Sequence, residues 1–67
     1  MKVIYDKATD SLSIIFSSGK VVESDEPHPG LILDYDKSGR LVSLELLDAS
    51  EHVTRPQSVE FALAAER

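Results

Sequence analysis

Apolar and polar residues alternate through the first two-thirds of the chain. Val3 and Tyr5 alternate with Lys2, Ile4 and Asp6, and Leu12, Ile14 and Phe16 alternate with Ser11, Ser13, Ile15 and Ser17. A period of two is the signature of a strand that turns successive side chains to opposite faces of a sheet. Between the two runs, Asp6-Lys7-Ala8-Thr9-Asp10 supplies turn formers, so the runs read as a hairpin. Ser18-Gly19 suits a tight reversal, since glycine accepts the positive φ of short hairpin turns, and Lys20 to Ser24 is expected to return as a third strand. Asp25-Glu26-Pro27-His28-Pro29-Gly30 reads as a surface loop, because its two prolines lack the donor that a ladder needs. Leu31 to Asp36 and Leu41 to Asp48 form a second hairpin, with Gly39 expected in the left-handed position of its turn.

The period changes near the end. Asp48 with Glu51 three residues later has the spacing of an N-cap and its box partner, so residues 49–53 are expected to form a short turn or helix. Thr54-Arg55-Pro56-Gln57 repeats the pattern, and residues 55–66 are expected to form a C-terminal helix with Val59, Ala62 and Leu63 on one stripe. The fold expected is therefore α+β. It is an antiparallel β-meander of about five strands over residues 1–48, two hairpins plus a middle strand, followed by one C-terminal helix, all in a single domain over residues 1–67.

The hairpins echo one another. Tyr5-Asp6-Lys7 and Tyr35-Asp36-Lys37 lie thirty residues apart, and at the same offset Leu12 meets Val42, Ser13 meets Ser43 and Ile14 meets Leu44. Convergence on a good hairpin and duplication of one unit both account for this. Alternation also leaves apolar residues of both parities. Val3, Tyr5, Leu12, Ile14, Phe16, Val42, Leu44 and Leu46 suit a main core face, whereas Ile4, Ile15, Ile32, Leu41 and Leu47 fall opposite. One helix covers one face, so a second subunit, most simply in a two-fold homodimer, is expected to cover the other.

Composition narrows the function. Sixty-seven residues without cysteine make a thin core and fit a reducing compartment. No apolar run approaches the roughly 18 residues of a membrane span, and the opening Met1 to Asp6 meets an acid too early for a signal peptide. A cytoplasmic protein with no membrane partner is expected. The net charge is −5, and the seven Lys and Arg residues are scattered rather than gathered on one face, which argues against nucleic acid as a partner. Glu23, Asp25, Glu26, Asp34 and Asp36 crowd one stretch without a Lys or Arg among them, which suits a basic protein partner.

Catalytic signatures are missing. There is no cysteine nucleophile, no Gly-x-Ser-x-Gly elbow and no phosphate-cradling loop, so no enzyme, no catalytic residue and no cofactor are expected. His28 and His52 read as solvated side chains. Asp34, Asp36, Ser38 and Glu45 match the spacing of a calcium loop, but a strand rather than a helix leads into Asp34, so ligands on two paired strands would not converge. No metal site is expected, and these four residues define the alternative of a cation-binding or small-ligand-binding hairpin.

Three groups of residues resemble a known family. Tyr5-Asp6-x-x-x-Asp10-x-Leu12-x-Ile14, Pro29-Gly30-x-Ile32-Leu33-Asp34-Tyr35-Asp36-x-x-Gly39 and Glu45-x-Leu47-Asp48-Ala49-Ser50 are together similar to the bacterial domain of unknown function DUF2283. The resemblance covers roughly the first fifty residues and implies a β-meander followed by a helix in a stand-alone prokaryotic domain. It brings no activity and no site residues. The function expected is that of a small acidic protein-interaction module that self-associates, in an antitoxin-like role.

Overall fold

A computed structural model describes residues 1–58. Five strands, β1 (Lys2–Asp6), β2 (Ser11–Ile15), β3 (Glu23–His28), β4 (Leu31–Tyr35) and β5 (Leu41–Leu46), precede a short helix, α1 (Ala49–His52). All neighbouring strands are antiparallel, in the order β1-β2-β5-β4-β3. The expected five-stranded antiparallel sheet followed by a helix is therefore present. β3, β4 and β5 form a meander, and the first hairpin joins it through β2 alongside β5.

The middle strand differs from its expected place. Lys20 to Ser24 does not return beside β2, because β1 and β5 occupy both sides of that strand. Residues 16–22 instead carry the chain past the ends of β5 and β4 to the far edge, and Val22 N–H reaches the Tyr35 carbonyl at 2.9 Å. Gly19 has no positive φ, so it makes no tight turn. A Cβ there would lie 3.4 Å from Val42 Cγ2, so the segment crosses close over the sheet. Residues 25–28, expected to be loop, are strand. Pro27 is accommodated because β3 is an edge strand whose pairing with β4 is interrupted between Asp25 and His28. Only Pro29-Gly30 turns, with Gly30 at φ 87.

The register assigns the faces. Tyr5, Leu12, Leu46 and Leu31 lie side by side across four strands, and Val3, Ile14, Leu44 and Leu33 form the next row. This is the apolar face. The opposite face has one row of Ile4, Ser13, Glu45 and Ile32 and another of Lys2, Ile15, Ser43, Asp34 and Ser24. It is mixed rather than apolar, since Leu41 is exposed and Leu47 lies in the turn after β5. Phe16 also departs from the expected core, at 40% exposed. Its N–H and that of Ser17 both donate to the Val42 carbonyl, at 2.8 and 3.3 Å, and the ladder ends there.

The internal echo is structural. The pairs Lys2↔Ile15, Val3↔Ile14 and Ile4↔Ser13 become, thirty residues on, Ile32↔Glu45, Leu33↔Leu44 and Asp34↔Ser43. Ile14 pairs with its own counterpart Leu44, so the two hairpins are related by a local two-fold axis beside that pair. The loops match as well. Asp6 Oδ1 accepts the Ala8 N–H at 3.0 Å, and Asp36 Oδ1 accepts the Ser38 N–H at 2.9 Å. Each Asp closes an Asx turn at the mouth of its hairpin.

Buried apolar side chains among the described residues are few, namely Leu12, Val42, Ala49 and Pro56. Arg55 to Ser58 form a turn, with Ser58 N–H donating to the Arg55 carbonyl at 3.0 Å, and the helix expected over 55–66 otherwise lies outside the described residues. A domain of this size has a total stability on the order of 3–10 kcal/mol. Leu12→Ala is expected to remove about 2–3 kcal/mol of it, measured as a lower urea midpoint at unchanged slope.

Candidate functional site

Asp10 ends the first hairpin loop in the left-handed region, at φ 53. An aspartate tolerates that conformation better than most residues. There its backbone and side chain both face α1. The Asp10 carbonyl accepts the Ala49 N–H at 2.9 Å. Its carboxylate accepts the Ser50 N–H at 3.1 Å on Oδ1 and 3.3 Å on Oδ2, and the Ser50 hydroxyl donates to Oδ2 at 2.6 Å. From the other side the Tyr5 hydroxyl donates to Oδ1 at 2.7 Å. One carboxylate thus ties β1, the hairpin loop and the start of α1 together.

This arrangement replaces the cap expected from Asp48. That residue sits at φ 50, makes no side-chain bond to the helix, and contributes only its carbonyl, which accepts the Glu51 N–H at 3.0 Å. Orphan donors in a first turn need an acceptor, and here it comes from forty residues away in sequence. The same bonds set the protonation states. The Ser50 hydroxyl, then the Tyr5 hydroxyl, hold Asp10 below the usual carboxylate value. Tyr5 is raised above the usual phenol value, first by its bond to Asp10 and then by partial burial. A carboxylate held below its usual pKa is a weak proton acceptor, and these bonds fasten the hairpin loop to β1 and α1.

A second carboxylate is held on the mixed face. Asp34 accepts the Ser24 hydroxyl at 2.6 Å on Oδ1 and the Ser43 hydroxyl at 2.9 Å on Oδ2, linking β3, β4 and β5. The alternative calcium set does not assemble. Asp34 is engaged by serines, Asp36 Oδ1 accepts the N–H groups of Ser38 and Arg40 in the hairpin loop, and Glu45 lies in the next row beside Ile32. Among the described residues no group of three or more His, Asp or Glu side chains is arranged to hold an ion. His28 ends β3 and His52 ends α1, both exposed.

The remaining surface divides by end and edge. The β3 edge carries Glu23, Asp25 and Glu26, all exposed, and Glu23, Ser24 and Asp25 line a groove of about 330 Å³ with Tyr35 and Gly39. Met1, Phe16, Val21, Val22 and Leu41 are exposed, and the register places them all at the end of the sheet away from α1.

The family model for proteins of unknown function DUF2283 matches residues 2–50, which span all five strands and the first two residues of α1. The chain belongs to this family. No curated protein and no solved structure matches the chain. The match to DUF2283 begins and ends on the elements that Asp10 joins. In the sequence Asp10 reads only as a turn former, and Ser50 has no role of its own. Both stood in the motifs that resemble DUF2283, but no spacing rule connects residues so far apart. Among the described residues no helix is long and apolar enough to cross a membrane.

The pH dependence follows in sign. A depressed Asp10 pKa adds stability above the unfolded value near 3.8, and this is lost as pH falls through the lower folded value. A raised Tyr5 pKa adds stability below 10.0, lost as pH rises through the higher folded value. Asp10→Ala is therefore expected to lower the urea midpoint at neutral pH, and the gap from the native chain should narrow as pH falls below about 3.8, to what the left-handed backbone costs an alanine. A gap that stays constant into strong acid would contradict this account of the clamp.

Proposed function

We propose that this DUF2283 domain is a non-catalytic protein-interaction module that self-associates and receives a basic partner in an antitoxin-like role. The observation that carries the reading is the placement of exposed apolar side chains. Phe16, Val21, Val22 and Leu41 collect at one end of the sheet, where β3 begins with Glu23 and Asp25. A patch of apolar side chains beside a row of carboxylates suits a partner segment with apolar and cationic residues. The two carboxylate clusters favour this reading over catalysis, because Asp10 and Asp34 are engaged within the fold.

Each half has its own measurement. Sedimentation equilibrium at micromolar concentration is expected to return a mass above that of one chain, and a single-chain mass removes self-association. The partner half is tested on the protein encoded by the neighbouring gene. A basic product is expected to co-purify with this chain and to dissociate as salt is raised towards about 1 M. A product that does not bind, or binds with the same affinity at high salt, removes that half.

A further inference from the structure

We infer that the partner in self-association is a second copy of this chain, paired antiparallel along β1 across a two-fold axis at Ile4. The inference rests on the self-association proposed above. Its first support is the local symmetry of the sheet. β1 and β4 are equivalent strands of the two hairpins, pair by pair. The outer side of β4 is occupied by β3, whereas among the described residues no strand pairs with the outer side of β1.

The two edges of the sheet also differ in kind. β3 contains Pro27, has a shifted register and carries three acids, all devices that stop a free edge from pairing. β1 has neither a proline nor a register shift, and its two charges, Lys2 and Asp6, are of opposite sign. Its pairing with β2 runs unbroken from Lys2↔Ile15 to Asp6↔Ser11.

The sequence of β1 is complementary to itself. With the axis at Ile4, Lys2 faces Asp6 of the second copy, Val3 faces its Tyr5, and the two Ile4 side chains meet. Lys2 and Asp6 thus form an opposite-charge pair at each end, a cross-strand arrangement that stabilises an antiparallel register. A shift by one residue would break both pairs. Ile4 is 40% exposed, and in this register it covers its own copy on the mixed face, beside Ile15. The product is one continuous ten-stranded sheet.

The chain has no cysteine, so Ile4→Cys introduces a single reporter. Directly opposed residues of antiparallel strands have Cα atoms about 4.5–5.5 Å apart, within disulfide range. Mild oxidation is expected to convert this variant to a covalent dimer much faster than Val22→Cys, a control at a more exposed position. A charge exchange gives a second measure. Lys2→Glu alone and Asp6→Lys alone should each weaken self-association about fivefold, and an equimolar mixture should restore it as the mixed dimer. A single-chain mass for the native protein overturns self-association itself. A native dimer in which Ile4→Cys cross-links no faster than Val22→Cys, and in which mixing the charge variants restores nothing, overturns pairing through β1 alone.

Discussion

Pairing between β2 and β5 determines the rest of this molecule. Ile14 against Leu44 and Leu12 against Leu46 join residues about thirty positions apart, whereas β1–β2, β3–β4 and β4–β5 are closed by local turns. Once β2 lies between β1 and β5, the chain leaving Ile15 has no free neighbouring lane and must cross to the far edge. That crossing places Gly19 over Val42 and delivers β3 beside β4. It also makes β1 and β3 the two edges. A non-local contact carries a loop-closure cost that turn chemistry does not offset, so two apolar rows shared by both hairpins are what hold it.

The apolar rows alone make a thin core, with Leu12, Val42, Ala49 and Pro56 as the buried apolar residues among those described. Polar bonds with specific geometry complement it. Asp10 joins the hairpin loop to α1 through four contacts to Ser50 and Ala49, while Tyr5 brings in β1. Asp34 does the equivalent for β3, β4 and β5 through Ser24 and Ser43. Each carboxylate binds hydroxyls on separate elements, so each fixes register, which apolar contact between flat rows specifies only loosely.

Local structure was legible in the sequence where one short segment decides it. Alternation located β1, β2, β4 and β5, and Gly39 takes the left-handed turn position expected of it, at φ 82. The thirty-residue echo was visible, though its meaning as a local two-fold axis needed the register. What depended on distant neighbours was not legible. Ser18-Gly19 reads as a hairpin turn until β5 occupies the place its return strand would take. Pro27 reads as a loop residue until the strand holding it lies at an edge, where a missing donor costs little. Asp48 has the spacing of a cap, but it lies at φ 50 without a side-chain bond to the helix, and Asp10 of the hairpin loop accepts the Ser50 donors instead. The four residues of the calcium spacing show the same limit, since Asp34 was free to bind an ion only while Ser24 and Ser43 were unplaced.

Charge constrains how such a domain can meet its own copy. A chain of net charge −5 repels a second one, and the repulsion grows wherever acids are brought together. Glu23, Asp25 and Glu26 all lie on β3, which the strand order puts at the opposite edge from β1. Joining two copies through β1 therefore sets their most acidic edges at the two extremes of the combined sheet, the full width of both domains apart. Surface charges separated by more than a Debye length, about 8 Å at physiological ionic strength, are largely screened. The same arrangement leaves Lys2 and Asp6 as the charges nearest the axis, and they are of opposite sign. The acidic strand that blocks pairing at one edge thus makes the other edge the one at which two acidic chains can approach, with both β3 edges left open to a cationic partner.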